Sequence, residues 1–241
     1  MYKDLIDFTK KLYNCDKNIP LHEPYFDHNE KKFLNDVIDS TFVSSVGEEI
    51  NTFENEIKNF TSSKYAVATV NGTSALHTSL KISGVSTDDE VITQSLTFIA
   101  TSNAIIYCGA VPNFLDVDRD TMSLSPNYLE QFLSSNCEIR KDGFCWNKTS
   151  NRRIKSCIVM HTFGLAGRVK QLKDICDEFN ITLIEDAAES LGTYIDKTHT
   201  GTIADIGILS FNGNKIITTG GGGMILTQKE TLEKKFRHIT T

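Results

Sequence analysis

Three short stretches of the 241-residue chain hold side chains whose types and spacing could do chemistry. In NGTSALHTSL (71–80), an apolar run ends at Asn71-Gly72, and Thr73 and Ser74 open a helical pattern. A helix start offers unpaired backbone N–H groups and the positive end of the helix dipole, which together can seat a phosphate. The hydroxyls of Thr73 and Ser74 would add hydrogen bonds, although an ordinary helix cap accounts for the same residues. In LIEDAAESLG (183–192), an apolar run delivers Glu185 and Asp186 at its end. Consecutive strand residues point to opposite faces, so only one of them can address a given site. A buried aspartate needs a partner to stay ionised; a protonated ring nitrogen is one, and a helix N-terminus is the simpler one. In SFNGNKIITTGGGGMI (210–225), Ser210 and Lys215 stand five residues apart around an Asn/Gly turn. A lysine after a strand is ordinarily a surface residue. Desolvated, it becomes a nucleophile and a proton carrier. The four glycines 220–223 lack the order of a nucleotide-binding P-loop and suit tight turning before a strand.

These stretches need elements to position them. From residue 64, apolar runs at 65–70, 90–94, 111–117, 156–163, 181–188, 206–211 and 223–228 read as strands. Helical stretches lie between them at 73–83, 98–108, 125–134 and 168–179. Alternation of this kind predicts an α/β fold, a mostly parallel seven-stranded sheet with helices on both faces. Ligands of such sheets bind at the edge where strands end and helices begin. Two further helices are expected at 27–40 and 49–60, and an amphipathic lead-in with Leu5, Ile6, Phe8 and Leu12 occupies 1–20. The polar, cationic stretch 136–155 breaks the rhythm and reads as an inserted loop, either solvated or in contact with a nucleotide phosphate. The ending KKFRHITT has no compact finish and suggests a truncated form of something longer.

Composition narrows the function classes. A hydrophobic fraction of 39% and a charged fraction of 23% are those of a globular protein. A formal net charge of −6 argues against nucleic acid and anionic membrane as partners. No run reaches the apolar length of a membrane span, and the charged start is no signal peptide. Cysteines 15, 108, 137, 145, 157 and 176 are scattered without a C-x-x-C pair, and the histidines show no metal-ligand spacing. Reduced thiols in a cytoplasmic, metal-free protein are expected, and the N-x-T matches at Asn59, Asn71 and Asn147 are read as chance.

A phosphate seat, a strand-end aspartate, and a serine and lysine in one loop follow in order along the chain. They supply the anchor, the ring partner and the base of pyridoxal-phosphate chemistry. The sequence resembles the DegT/DnrJ/EryC1/StrS aminotransferases, closest to their LegC-like members of nonulosonic-acid and related surface-sugar pathways. The matching pieces run from Ile19 to the end: IPLHEP, FVSSVGEEINTFENEI, AVATVNGTSALHTSL, DEVITQSLTFIATSNAI, GAVPNFLDVD, VMHTFGLAGRV, LIEDAAESLG and SFNGNKIITTGGGGMI. The resemblance implies a fold-type I large domain over 21–241, with the C-terminal small domain largely missing. It implies pyridoxal 5'-phosphate as cofactor, an amino-acid donor such as L-glutamate, a nucleotide-linked keto-sugar as acceptor, and a homodimer in the full-length form. By matching motif, Lys215 is the Schiff-base lysine and Asp186 pairs with the pyridine nitrogen. Phe98 stacks on the ring, Gly72, Thr73 and Ser210 hold the phosphate, and Asn212 lies near it. Glu189 stands where relatives often carry Gln, near the ring hydroxyl. Two other outcomes stay open: a non-catalytic protein that keeps the fold, and a sugar dehydratase. The dehydratases of this group carry histidine in place of the lysine, so Lys215 argues against the latter.

Overall fold

The computed structural model describes residues 2–240; residues 1 and 241, the outer limits of the two expected ranges, lie outside them. The chain opens with helices α1 (Lys3–Leu12), α2 (Asn29–Ser40) and α3 (Glu48–Thr61). The alternating part follows as β1 (Tyr65–Thr69), α4 (Gly72–Ile82), β2 (Glu90–Gln94), α5 (Ile99–Tyr107), β3 (Val111–Leu115) and α6 (Pro126–Asn136). Next come β4 (Cys137–Ile139), β5 (Cys145–Asn147), β6 (Arg153–Met160), a short turn of 3-10 helix (Thr162–Gly164), α7 (Val169–Glu178) and β7 (Thr182–Asp186). The chain finishes with β8 (Tyr194–Ile195), β9 (Thr198–His199), β10 (Ile206–Ser210), β11 (Gly223–Thr227) and α8 (Glu230–Thr240).

The seven expected strands lie in one sheet in the order β1-β11-β10-β7-β6-β2-β3. The four pairings from β10 to β3 are parallel, and β11 runs antiparallel to both its neighbours. Its reversal follows from its connection. The 211–222 loop folds back on itself, with Phe211 N–H donating to Gly222 O and Thr219 N–H to Phe211 O, so the chain returns directly beside β10. β1, two places away, again points the same way as β10. The C-terminal ends of six strands therefore share one edge.

Alternation along the strands builds a core on each face. Val91, Ile158, Ile184, Ile208 and Ile225 pack with Leu76, Leu80, Ala104, Ile105 and Phe236 of α4, α5 and α8. Their neighbours Ile92, Cys157, Val159 and Leu183 pack with Leu129, Leu133, Val169 and Leu172 of α6 and α7. Leu209, Met224 and Leu226 continue that second face under Ile57 and Phe53 of α3. Each fully buried Leu or Phe contributes about 1.5–3 kcal/mol.

The 136–155 stretch is not a plain loop. Cys137–Ile139 pairs with Cys145–Asn147, and that hairpin pairs antiparallel with the start of β6 (Cys145↔Ile154, Trp146↔Arg153), extending the sheet to nine strands. Cys137 and Cys145 point into the core, while the cations find local partners. Arg153 Nε is 2.9 Å from Asp89 Oδ1, and the Arg140 guanidinium lies 4.5 Å from the Trp146 ring centre. The hairpin joins β6 at its first residues, the opposite edge from the strand C-termini. At the other end of the chain, α1 and α2 bury no residue; Leu5, Ile6, Phe8 and Leu12 of the expected lead-in are exposed.

Candidate active site

Where β1, β7 and β10 end, the sheet edge opens into a cavity of about 260 Å³. Gly72, Thr73, Phe98, Asp186, Ser210, Asn212 and Lys215 line it, with Met160 and Asn214 beside them. Of the expected site residues, Glu189 reaches this group through Lys215, and Ser74, which is not in the lining, has a backbone N–H with another task.

That task is the cap of α4. Asn71 is extended (φ −170°, ψ 170°), and its Oδ1 accepts the Ser74 N–H at 2.8 Å. Gly72 and Thr73 present the start of the helix to the cavity. Gly72 is required by packing: a Cβ there would stand 2.9 Å from Ser210 Cβ and 3.2 Å from its Oγ. The helix start and the Ser210 hydroxyl are thereby held side by side. The glycine run serves the same junction, because a Cβ at Gly223 would stand 2.5 Å from the Asn71 carbonyl.

The two consecutive carboxylates part as strand geometry requires. Glu185 turns away from the cavity and is completely buried. It accepts the N–H groups of Gly201 (2.7 Å), Ile203 (2.8 Å) and Ala204 (2.7 Å). His161 completes the set at 3.1 Å. Because His161 Nδ1 accepts the Gly167 N–H, its proton sits on Nε2 and points at Glu185. Asp186 turns into the cavity. Thr101 Oγ1 donates to its Oδ2 at 2.8 Å, and the Ala188 N–H donates to its Oδ1 at 3.3 Å. Burial pushes the Asp186 carboxyl above its ordinary range, against the pull of those two hydrogen bonds and of the Lys215 charge.

Lys215 sits in the turn after β10, its N–H donating to Asn212 O at 2.9 Å. The side chain is 11% exposed, with Nζ 5.3 Å from the Phe98 ring centre and 3.4 Å from Glu189 Oε1. Asn212 Nδ2 donates to Asn214 Oδ1 within the same turn.

The arrangement fits the pyridoxal phosphate that the resemblance implies. A helix start and two hydroxyls at one end suit a phosphate. At the other end stands a buried carboxylate with no ion pair among the described residues, and a ring N–H would supply one. The Phe98 ring and the small Ala188 bound the space between, and an amine reaches in from Lys215. Thr101 and Met160 were not foreseen. Met160 Sδ lies 3.3 Å from the Phe98 N–H and from Thr97 Oγ1. The only sequence signal for Thr101 is its hydroxyl four residues after that of Thr97, which donates to it at 3.0 Å.

Comparison with known proteins points to one family. The pattern of the DegT/DnrJ/EryC1/StrS aminotransferase family matches residues 24–241. The chain is 36% identical over 217 residues to a GDP-perosamine synthase of Vibrio cholerae, covering 90% of this chain and 54% of that one. It is 38% identical over 223 residues to a GDP-perosamine synthase of Escherichia coli O157:H7, covering 92% and 57%. An aminotransferase structure from Psychrobacter cryohalolentis superposes with a TM-score of 0.78 at 31% identity, covering 92% of this chain and 52% of that one. The chain spans about half the length of the curated relatives it matches.

Proposed function

Given that the chain belongs to the DegT/DnrJ/EryC1/StrS aminotransferase family, we propose that it carries the cofactor half of an enzyme that moves an amino group from L-glutamate to a nucleotide-linked keto-sugar, in surface-polysaccharide or nonulosonic-acid synthesis. The observation that carries this reading is the meeting of Gly72, Thr73, Phe98, Asp186, Ser210 and Lys215 around one cavity, from four separate parts of the chain. The family's aminotransferases depend on pyridoxal phosphate. Relatives named for GDP-perosamine support a nucleotide-linked sugar as acceptor.

When bound, pyridoxal phosphate supplies an aldehyde that bonds to amines and a ring that draws electrons from the adjoining carbon. Gly72, Thr73 and Ser210 would hold the phosphate, with Asn212 at its edge. Asp186, fixed by Thr101, would pair with the ring nitrogen and keep it protonated, and Phe98 would stack on the ring. Lys215 Nζ would hold the cofactor through its aldehyde and, once freed by the amino donor, would carry the proton of the donor's Cα–H bond. Holding that C–H bond perpendicular to the ring is a positioning task for the cavity walls.

The whole protein is proposed to act as a cytoplasmic homodimer. Exposed Ile99, Ile106 and Tyr107 on α5, beside the cavity, support a subunit contact, and six free cysteines support a reducing compartment. Among the described residues, no helix is long and apolar enough to cross a membrane.

The test is the visible spectrum of the purified chain mixed with pyridoxal phosphate, before and after L-glutamate, beside Lys215→Ala. A band that glutamate discharges and the variant lacks is expected. A wild-type chain without any such band would overturn the reading for these 241 residues.

A further inference from the structure

The cavity region holds two carboxylates and one lysine, and the second carboxylate is built to act on the lysine. Glu189 Oε1 lies 3.4 Å from Lys215 Nζ, while Oε2 accepts the Phe163 N–H at 3.0 Å. Phe163 has φ 56° and ψ 21°, a left-handed conformation that costs a non-glycine residue about 1 kcal/mol or more. The turn that bears it is braced from behind. A Cβ at Gly164 would stand 2.8 Å from Glu189 O, and Thr193 Oγ1 donates to Gly164 O at 3.0 Å. One carboxylate oxygen is pinned to this turn, which fixes the other against the lysine.

Few other charges face the pair. Asp186 does so from β7 and is engaged by Thr101 and Ala188. His161, after β6, turns its ring to Glu185 and Gly167. The α4 and α5 sides contribute Thr73, Phe98 and Thr101, all uncharged.

We infer that Glu189 is the counter-ion of the Lys215 nitrogen, a positioning residue that acts on the lysine rather than on the ring hydroxyl. The inference rests on the cofactor reading above. The charge it answers survives bonding to the cofactor. An ammonium and an aldehyde give a cationic C=N nitrogen and one water, the aldehyde oxygen leaving with two of the three ammonium protons. The nitrogen keeps its third proton and its positive charge, within reach of Oε1. A carboxylate this close favours the cationic form of its neighbour.

The experiment is a pH titration of the visible band of the cofactor-loaded chain, wild type against Glu189→Gln. The amide keeps an oxygen for the Phe163 N–H but carries no charge. The midpoint of the band's pH transition is expected to fall by about one unit in the variant. Glu189→Asp, which withdraws the carboxylate by one methylene, is expected to move it the same way by less, and it serves if the amide variant does not fold. Midpoints equal to wild type in these variants would overturn the role of Glu189 and leave the cofactor reading intact. A wild-type chain that forms no band would overturn that reading, and this inference with it.

Discussion

Thr101 Oγ1 donates a 2.8 Å hydrogen bond to Asp186 Oδ2, tying the first turn of α5 to the end of β7. Thr97 donates in turn to Thr101, so the aim of the carboxylate is set from a helix and not by its own strand alone. Hydrogen bonds to charged groups contribute about 1.5–3 kcal/mol. Thr101→Val keeps the shape and removes the donor. It is expected to weaken pyridoxal-phosphate binding roughly tenfold or more, read by spectral titration. An unchanged dissociation constant would show that Asp186 holds its place without α5.

The same aspartate makes stability depend on pH. Burial raises its folded value above that of the unfolded chain, so the fold favours the neutral carboxyl. That contribution is fully present below the unfolded value, near 3.9, and is lost as pH rises through the folded one. Asn cannot ionise. In the absence of cofactor, the melting temperature of Asp186→Asn relative to wild type is expected to be higher at pH 7 than at pH 3.5. A difference that stays constant over that range would contradict the assignment. Saturation with pyridoxal phosphate, which brings a cationic partner, is expected to shrink the difference.

Gly72 and Ser210 test the phosphate end. A methyl at 72 must displace Ser210, whose Cβ it would meet at 2.9 Å. Overpacking of this kind costs about 1–3 kcal/mol, or roughly 2–10 °C in melting temperature for a domain of this size. Gly72→Ala is expected to show that loss together with weaker cofactor binding. Adding Ser210→Gly removes the atom that is struck and is expected to recover most of the melting temperature but not the affinity. Full recovery of both would mean that the Ser210 hydroxyl holds nothing.

What could be read before the fold was known follows from where each signal is stored. The runs at 156–163 and 206–211 announce strands because both faces are covered, leaving near-continuous apolar residues at positions such as Val159 and Ile208. The β4–β5 hairpin stayed hidden because its strands are three residues long and interleave Glu138 and Asn147 with Cys137 and Cys145. The direction of β11 was also out of reach, since it depends on how the 211–222 loop closes through Phe211 and Gly222. In the site, the meeting of Lys215, Asp186 and Gly72 at one cavity was legible from their places at element ends. Thr101 was not, because it sits inside an apolar helix and matters only once α5 lies against β7. The pairing of Glu189 with Lys215 joins two loops 26 residues apart and has no local trace.

The two neighbouring carboxylates of β7 give the sharpest separation of fold from chemistry. Glu185 gathers three backbone N–H groups of the 201–204 segment and the Nε2–H of His161, and none of these residues lines the cavity. Replacing it by Gln puts an amide N–H₂ where one carboxylate oxygen stood. On the Oε2 side, that group would oppose the donors of Gly201 and His161. With about 1–3 kcal/mol for each buried group left unpaired, the melting temperature of Glu185→Gln is expected to fall on the order of 5–15 °C. The protein that remains folded at low temperature should still give the visible band with pyridoxal phosphate and lose it on addition of glutamate. Asp186→Asn should do the reverse, folding well at neutral pH but answering glutamate slowly or not at all, because a neutral amide cannot keep the ring nitrogen protonated. Were Glu185→Gln to melt like wild type and lose the band, the roles of the two residues would have to be exchanged. The alternation of side chains along β7 would then have been assigned to the wrong faces.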